Sequence, residues 1–401
     1  MPSRALLTVV LALLIAQSPD GPATDYTQWR GRDRDGRASG FVEPAAWPGT
    51  LTRRWTATVG DGYGTPLVVG DTVYAFTRLD GREVLTALAA ATGEVKWRSG
   101  YDAPYEPAPP AAKHGAGPKA TPVYANGRIF TLGVGGTFAA FDGKNGAPLW
   151  KIPVAGEQAY FGAASSPLAD GDLVIVHPGN YEPLTAFDAA SGAVKWRAGD
   201  GGFFASPIVA TIDGTRQIIT VTQKQVIGVS IADGRMLWGF PFPNNGAITP
   251  VISGQDVIVS GLDAGVIALR PRRAGASWTA DQAWETKAVS MYISNPVLVN
   301  GTLFGFSHKA SGQLFALDAA NGSTRWLGAP RWADNAALVS AGSALFILRD
   351  DGSLVVARPN ASRFETIATY TVAGSATWAQ PAISGGRIFV KDVSSLTLWT
   401  F

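Results

Sequence analysis

Seven tryptophans recur along the chain at intervals of 42 to 53 residues, and several of them close nearly the same phrase. The phrase reads AFDAASGAVKW at residues 186–196, ALDAANGSTRW at residues 316–326 and ALAAATGEVKW at residues 87–97. A period of this length suits about four short strands with their turns. An eighth, degenerate copy has Tyr370 in place of the tryptophan. The seven tryptophans are Trp55, Trp97, Trp150, Trp196, Trp238, Trp284 and Trp326.

A second marker keeps the same phase: a small polar residue followed by proline opens an apolar stretch after each tryptophan. Proline has no N–H for a sheet ladder, so it belongs at the first residue of a strand. The copy at Asn335 lacks the proline. With that copy, the markers predict eight strand beginnings. The proline-containing copies begin at Thr65, Thr121, Ser166, Ser206, Thr249, Asn295 and Gln380.

In the first unit we predict strands A to D at residues 65–69, 72–77, 84–89 and 94–98. Gly93 supplies a positive φ in the turn between C and D, and it recurs in later copies. One four-stranded sheet cannot bury both faces alone, whereas a ring of such sheets can. The prediction is therefore an all-β chain forming a single eight-bladed β-propeller of four-stranded antiparallel blades, closed by an N-terminal strand near residues 51–56. Seven blades with a ragged end, or an open solenoid, are the alternatives.

The repeated phrase itself has structural roles. Aspartates such as Asp188 and Asp318 are expected to accept hydrogen bonds from N–H groups of their own turn. Each tryptophan is expected to place its ring between adjacent blades. We therefore assign the seven tryptophans to inter-blade packing and not to catalysis.

The N-terminus has the pattern of a secretory signal. Arg4 precedes an uninterrupted apolar run at residues 5–16, which is too short to span a bilayer. We predict a signal peptide at residues 1–23, an N-terminal extension at residues 24–50 and the propeller at residues 51–401; an uncleaved anchor is the alternative. The chain has no cysteine for disulfides, metal thiolates or lipid attachment. These features predict a soluble periplasmic or secreted protein, and the net charge of +2 gives no reason to expect nucleic acid.

The repeated phrase resembles the tryptophan-docking repeat of the pyrroloquinoline-quinone (PQQ) dehydrogenases. Non-enzymatic propellers of the BamB type, from outer-membrane β-barrel assembly, share this repeat. The resemblance runs from about Leu51 to the C-terminus. The opening QWRGRDRDG, residues 28–36, is similar to the segment that precedes many secreted PQQ-like repeats, with Arg32 where proline is usual. The resemblance implies a propeller but leaves the activity open.

The dehydrogenases of this family carry a vicinal disulfide, a calcium ion held by acidic and amide side chains, and an aspartate base. This chain has no cysteine pair, and residues 33–36, DRDG, lack the longer ligand loop of a calcium motif. We interpret that stretch as a surface turn. The sequence predicts no catalytic residue, no metal site and no cofactor; PQQ with calcium is the alternative.

A ligand site is expected at one mouth of the central channel, where the loops from D to A and from B to C gather. The proline-rich insertion at residues 101–119 is either a lid or a rigid decoration. The predicted ligand or partner contacts at this top face are Tyr63, His114, Lys119, His177, Phe204, Lys224, Tyr292, Asn295, His308, Lys309, Trp378 and Gln380. They would form a mildly basic, amphipathic rim for an anionic aromatic ligand or a peptide.

The sequence thus favours a noncatalytic, monomeric binding scaffold, with a role in envelope protein assembly implied by the BamB resemblance. A quinoprotein oxidoreductase, or a PQQ-binding protein with a divergent site, is the alternative.

Overall fold

The computed structural model describes residues 24–154, 160–179, 181–202, 204–243, 246 and 248–401. The predicted signal peptide lies outside these ranges. Strands β1 (Arg37–Ala38) and β2 (Thr52–Thr58) precede the repeat. The remaining strands form eight sheets, each of which follows chain order from the innermost strand outward.

Blades 1 and 2 contain β3 (Leu67–Val69), β4 (Thr72–Leu79), β5 (Arg82–Ala89), β6 (Val95–Asp102), β7 (Val123–Ala125), β8 (Arg128–Leu132), β9 (Phe138–Asp142) and β10 (Pro148–Ile152). Blades 3 and 4 contain β11 (Leu168–Asp170), β12 (Leu173–Val176), β13 (Leu184–Asp188), β14 (Val194–Ala198), β15 (Ile208–Ile212), β16 (Thr215–Val221), β17 (Gln225–Ser230) and β18 (Met236–Pro241).

Blades 5 and 6 contain β19 (Val251–Ser253), β20 (Asp256–Gly261), β21 (Gly265–Ala274), β22 (Ser277–Thr286), β23 (Val297–Val299), β24 (Thr302–Ser307), β25 (Gln313–Asp318) and β26 (Thr324–Leu327). Blades 7 and 8 contain β27 (Ala336–Ala341), β28 (Ala344–Arg349), β29 (Ser353–Arg358), β30 (Glu365–Thr371), β31 (Ala382–Ser384), β32 (Arg387–Lys391) and β33 (Ser395–Thr400). Two short 3₁₀ helices, Pro109–His114 and Lys309–Ser311, lie in loops.

Blade 8 closes the ring. Its outermost strand is β2, which pairs antiparallel with β33 from Thr52 opposite Thr400 to Thr58 opposite Ser395. The eight-bladed propeller and its closure by an N-terminal strand are therefore confirmed. Among the residues that the structure describes, no helix has the length and apolar character needed to cross a membrane.

The tryptophans join each blade to the next. The indole Nε1 of Trp55 donates to the carbonyl of Ala90, and that of Trp196 donates to the carbonyl of Ile231, at 3.0 and 2.9 Å. In each case the acceptor lies in the turn between the third and fourth strands of the following blade. The same pattern is found for Trp97, Trp150, Trp284 and Trp326.

The recurring turn glycine has a second role beyond its positive φ. A Cβ atom on Gly234 would lie 2.6 Å from the Trp196 ring, and one on Gly322 would lie 2.4 Å from the Trp284 ring. Glycine therefore also lets the indole of the preceding blade lie flat on the turn. The aspartates behave as predicted, since Asp188 accepts from the N–H groups of Ala190 and Ser191.

Trp238 departs from this pattern. Its Nε1 donates to Gln217 Oε1 of its own blade at 2.6 Å, over Gly228. In blade 5, the hairpin of β21 and β22 continues past the point where the other blades turn. Trp278, from that extended hairpin, packs into the core cluster that contains Trp238.

The small polar residues before the prolines form a chain of hydrogen bonds around the channel. The backbone N–H of Thr65 donates to Thr121 Oγ1, that of Thr121 donates to Ser166 Oγ, and that of Ser166 donates to Ser206 Oγ, at 2.9 to 3.0 Å. The N–H of Thr249 likewise donates to Asn295 Oδ1 at 2.7 Å. The innermost strands begin two residues later than predicted, at Leu67 and Val123 for example, so these polar residues lie just before the strands and tie neighbouring blades together.

Residues 24–38, which we call the hub segment, fill the central channel. Tyr26 pairs with Val68 of blade 1 through two backbone hydrogen bonds. β1 adds a fifth, parallel strand to blade 7. The segment bonds directly to blades 1, 2, 3, 5, 6, 7 and 8.

The interpretation of residues 33–36 as a surface turn is wrong. Arg34 is buried, and its guanidinium donates to the carbonyls of Ser166 and Pro167 inside the channel. Arg30 is also buried and donates to the carbonyl of Pro296 at 2.7 Å. Burial lowers the pKa of Arg34 to about 9 and that of Arg30 to about 10. Backbone carbonyls of the surrounding blades therefore take the place of water around these guanidinium groups.

Candidate functional site

A cavity of about 400 Å³ opens at the top of the channel. Its walls come from the loops that precede the innermost strands, whereas none of the described lining residues belongs to a loop between the second and third strands of a blade. The cavity is called here the central cavity, and its lining residues are Trp29, Tyr63, Pro110, Ala111, Lys113, His114, Lys119, Phe161, Ala164, Ser166, Phe204, Ser206, Tyr292, Ile293, Asn295 and Trp378. The volume falls within the range that suits one small ligand or a few side chains.

The hub segment provides part of the floor. Trp29 donates from Nε1 to Thr249 Oγ1 at 2.9 Å, which ties the indole to the ring of polar residues around the channel. A second cavity of about 370 Å³, lined by Gln28, Arg34 and Tyr124 among others, lies on the other side of the segment. The hub segment therefore separates the two cavities.

The insertion at residues 101–119 forms one wall of the central cavity. Its 3₁₀ helix, Pro109–His114, buries Ala111 and brings Lys113 and His114 to the lining. The backbone N–H of Tyr63 donates to the carbonyl of Pro118 at 2.8 Å and fixes the end of the insertion. The insertion borders the cavity, and the two interpretations left open by the sequence, a lid or a rigid decoration, both stay predictions.

Aromatic rings and cations dominate the lining. The rings of His114 and Trp378 meet edge to face with centroids 4.6 Å apart, and Tyr63 lies within 6.3 Å of both. The cationic side chains are Lys113, Lys119 and, when protonated, His114. Among the residues that the structure describes, no aspartate or glutamate lines the cavity. The described lining thus offers stacking surfaces and positive charge.

Burial shifts the pKa values of three lining groups. It lowers the pKa of His114, with further lowering by the nearby charges of Lys119 and Lys113. It also lowers the pKa of Lys119, whose Nζ donates to the carbonyl of Phe161. Burial raises the pKa of Tyr63, and the carboxylate of Asp61 adds to that shift. An anionic ligand would favour the charged forms of His114 and Lys119.

The structure brings seven of the twelve predicted contacts to the central cavity. The seven are Tyr63, His114, Lys119, Phe204, Tyr292, Asn295 and Trp378. Lys224, His308 and Lys309 lie on top loops outside its lining. His308 Nε2 instead contacts Asp263 Oδ1 at 3.1 Å.

The structure buries the two remaining predicted contacts away from the cavity. His177 has no exposed surface and lies 3.0 Å from Thr220 Oγ1 of the next blade through Nε2. Burial lowers its pKa to about 4. Gln380 accepts from the Tyr26 hydroxyl and donates to the carbonyl of Leu338. Both side chains lie inward because they join neighbouring blades or the hub segment, which sequence position alone does not reveal.

Sequence reasoning missed Trp29, Lys113, Phe161 and Ile293 among the lining residues. Phe161 lies five residues before Ser166, whereas Phe204 lies two residues before Ser206, so the alignment of the copies does not single out Phe161. Lys113 lies next to His114 in the insertion. Trp29 belongs to a segment that occurs once in the chain, so the repeat gives no information about it.

Within the described residues, no group of three or more histidine, aspartate or glutamate side chains is arranged to hold a metal ion. The polar atoms of the central cavity are hydroxyls, amines, an imidazole and the Asn295 amide. These groups suit an organic anion better than a hard cation, which prefers several oxygen ligands.

Known proteins with similar sequences include BamB proteins and quinone alcohol dehydrogenase subunits. The family model described as outer membrane protein assembly factor BamB matches residues 81–326 and, in a second match, residues 182–401. The BamB protein of Burkholderia pseudomallei is 26% identical over 369 residues, covering 76% of this chain and 87% of the relative. The quinone alcohol dehydrogenase subunit of Acetobacter aceti is 34% identical over 151 residues, covering 33% of this chain. That match spans only 19% of the dehydrogenase subunit.

Solved structures show the same fold. BamB from Moraxella catarrhalis superposes with a TM-score of 0.65 at 16% identity, covering 88% of this chain and 98% of that one. The quinohemoprotein alcohol dehydrogenase from Comamonas testosteroni gives 0.64 at 12% identity, covering 94% of this chain and 80% of that one. At these identities the likeness concerns the fold alone. With the family model matched over most of the repeat, the chain belongs to the BamB family of PQQ-like repeat propellers.

Proposed function

We propose that this protein is an exported, noncatalytic binding module of the cell envelope, whose central cavity takes an anionic group attached to an aromatic or apolar one. The ligand is either part of a protein partner or a small molecule. The names of the BamB relatives, as outer membrane assembly factors, support a role in envelope protein assembly.

One observation carries this proposal: the central cavity combines six aromatic side chains with Lys113, Lys119 and His114, and none of the lining residues that the structure describes is acidic. A carboxylate entering this space gains charge-assisted hydrogen bonds in a partly desolvated site. An attached ring gains contacts with Trp29, Trp378 and their neighbours. A ligand that carries both a carboxylate and a ring makes both kinds of contact, so the cavity should bind it more tightly than a ligand that carries only one of them.

The residues present do not fit a calcium-assisted dehydrogenase site. Such a site needs carboxylates to hold the ion and to act as the base, and the described part of the lining offers a single amide, that of Asn295, and no carboxylate. The chain also has no cysteine for the disulfide of the family's dehydrogenases. We therefore propose binding without turnover.

A second candidate function is PQQ binding without dehydrogenase activity. PQQ is a flat aromatic quinone with several carboxylates, so its ring and charges suit the aromatic and cationic lining. The similarity to quinone alcohol dehydrogenase subunits supports this second candidate function. The quinone would supply redox chemistry when bound, while Lys113 and Lys119 would hold its carboxylates.

The first experiment measures binding of N-acetyl-L-phenylalanine and of its amide, which keeps the ring but lacks the carboxylate. Isothermal titration should show the acid binding roughly tenfold more tightly, a difference of about 1.4 kcal/mol. Lys119→Met should remove that preference, and Trp378→Ala should weaken both ligands. Lys309→Met, outside the cavity lining, is the matched control. Equal binding of acid and amide to the wild-type protein would contradict the proposal.

The second experiment separates the two candidate functions. The purified protein is mixed with PQQ and calcium, passed through gel filtration and assayed for quinone absorbance and for dye reduction with alcohols or sugars. We expect no dye reduction. Retained absorbance without activity would support the second candidate, whereas retained absorbance with activity would overturn both.

The proposed export is tested by the mass of the mature protein from fractionated cells. Asp25 accepts a hydrogen bond from the Gly70 N–H at 2.9 Å, and Tyr26 is fully packed, so processing should leave both residues in place. We expect a periplasmic or secreted protein that begins no later than Asp25. Recovery of the unprocessed chain from the cytoplasm would contradict export.

A further inference from the structure

Large apolar side chains are exposed around the mouth of the central cavity. Seven exposed ones in the described residues belong to top loops, namely Tyr160, Phe161, Tyr181, Leu262, Tyr292, Ile293 and Val393. Three of them, Phe161, Tyr292 and Ile293, also line the cavity. The other four, Tyr160, Tyr181, Leu262 and Val393, lie outside the lining and are called here the rim patch.

The rim patch is continuous with the cavity on one side. The rings of Tyr160 and Phe161 meet edge to face at 4.9 Å, and Phe161 lies 6.2 Å from Phe204 in the cavity wall. Tyr160 is 55% exposed and Tyr181 is 50% exposed. A row of rings thus leads from solvent into the cavity.

Exposed apolar residues elsewhere are arranged differently. Five lie on outermost strands of separate blades, namely Val95, Leu149, Val194, Met236 and Leu327, and Val42 lies in the segment before β2. Single apolar side chains scattered in this way are normal on a protein surface. A concentration of them around one cavity indicates an interaction surface.

From this arrangement, and building on the proposed function, we infer that the top face binds an extended polypeptide segment. One aromatic side chain of the segment enters the central cavity with a neighbouring carboxylate facing Lys113 and Lys119, while flanking residues cover the rim patch. A small molecule that fills about 400 Å³ contacts the lining residues and leaves the rim patch exposed. A polypeptide covers both.

The cationic lining determines which charge the partner segment should carry beside the aromatic side chain that enters the cavity. Lys113 and Lys119 lie in the same insertion, with His114 between them in sequence, and the lining residues described by the structure include no carboxylate to offset them. A segment with glutamate or aspartate beside its aromatic residue gains attraction there, whereas a lysine at that position meets like charge. The partner is therefore an acidic-aromatic segment and not a basic one.

The test uses two labelled peptides of about ten residues, roughly 30 Å when extended. Both have blocked ends and leucine and serine flanks; one carries Glu-Phe-Glu at its centre and the other carries Lys-Phe-Lys. Fluorescence anisotropy should show the acidic peptide binding about tenfold or more above the basic one. It should also bind more tightly than N-acetyl-L-phenylalanine, because flanking residues add contacts.

Variants separate the rim patch from the cavity. The double variant Tyr160→Ser/Tyr181→Ser should weaken the acidic peptide by about tenfold and change N-acetyl-L-phenylalanine binding by less than about twofold. Val194→Ser/Met236→Ser, which removes exposed apolar groups from outer strands, is the matched control and should change neither. A midpoint temperature of thermal unfolding equal to that of the wild-type protein would show that a variant keeps its fold.

The outcomes distinguish this inference from the proposed function. If N-acetyl-L-phenylalanine binds but the acidic peptide binds no better, the cavity is a small-molecule site and the polypeptide inference fails alone. Peptide binding that ignores the rim variants, or that favours the basic peptide, also overturns it. If neither probe binds, the proposed function fails as well.

Discussion

The two junctions on either side of blade 4 are built differently. Between blades 3 and 4, Trp196 lies on Gly234 and donates to the carbonyl of Ile231. Between blades 4 and 5, Trp238 donates to Gln217 in its own sheet, and the extended hairpin of β21 and β22 covers the gap. Docking of a tryptophan therefore requires an early turn between the third and fourth strands of the following blade; that turn contains glycine in every docked case except blade 7, where Trp326 donates to the carbonyl of Asn360.

Gly228 explains how Trp238 adopts its position. The residue opposite the tryptophan on the third strand is alanine in blades 1, 2, 3, 5 and 6, as in Ala186 opposite Trp196, but it is Gly228 opposite Trp238. A Cβ on Gly228 would lie 2.1 Å from Trp238 Nε1. The loss of one methyl group makes room for the inward indole.

The largest effect is expected from Trp196→Ala. It removes a buried indole and its hydrogen bond between blades, so urea unfolding should show a loss of about 3–5 kcal/mol. Val194→Ala, on the exposed side of the same strand, should change the free energy of unfolding by less than about 0.5 kcal/mol. Similar losses for both variants would show that docking does not stabilise this junction.

Gly234→Ala and Gly275→Ala compare the glycine turns of the two junctions. Both residues have positive φ. A Cβ atom on Gly234 would lie 2.6 Å from the Trp196 ring, whereas one on Gly275, at the hairpin tip, would have no heavy atom within 4 Å. We expect about 1–2 kcal/mol of destabilisation at Gly275 from the backbone alone. Overpacking should add about 1–3 kcal/mol at Gly234. Equal effects in urea unfolding would refute the second role of the turn glycine.

Gly228→Ala tests the junction of blades 4 and 5 directly. The added methyl group should displace the Trp238 indole and break its bond to Gln217, with a cost of about 1–3 kcal/mol. Adding Gln217→Leu should restore part of the stability, because it removes a buried amide left without its donor. If the double variant is no more stable than Gly228→Ala alone, the inward bond contributes little.

The effect that is smallest at neutral pH is a pH dependence at the junction of blades 3 and 4. Burial lowers the pKa of His177 to about 4 from 6.5, so the unfolded chain binds more protons between those values. The contribution of His177 therefore makes the free energy of unfolding fall as the pH drops through that window. His177→Gln, measured by urea unfolding at several pH values, should reduce this slope. An unchanged slope would assign the acid sensitivity to other groups.

The parts of the molecule that repeat were predictable, and the parts that occur once were not. Spacing and turn chemistry appear in many copies, so they indicated eight blades, the closing strand and the inter-blade tryptophans. The path of residues 24–38 depends on carbonyls such as those of Ser166 and Pro296, which no local pattern reports. His177 was placed on a loop correctly, but its burial depends on Thr220 of the next blade.

The hub segment has a consequence for the order in which the protein matures. Tyr26 bonds to Gln380, 354 positions away, and β2 pairs with β33 at the other end of the chain. Contacts between residues so far apart in sequence require a large loss of chain entropy to close the loop between them, and they stabilise the fold only once that loop has closed. Residues 24–38 can contact blade 1 early, but β2 must wait, unpaired, until the last blade exists. Closure of the ring of blades and completion of the contacts in the central channel thus become one late, cooperative event. A chain shortened by a single blade would complete neither.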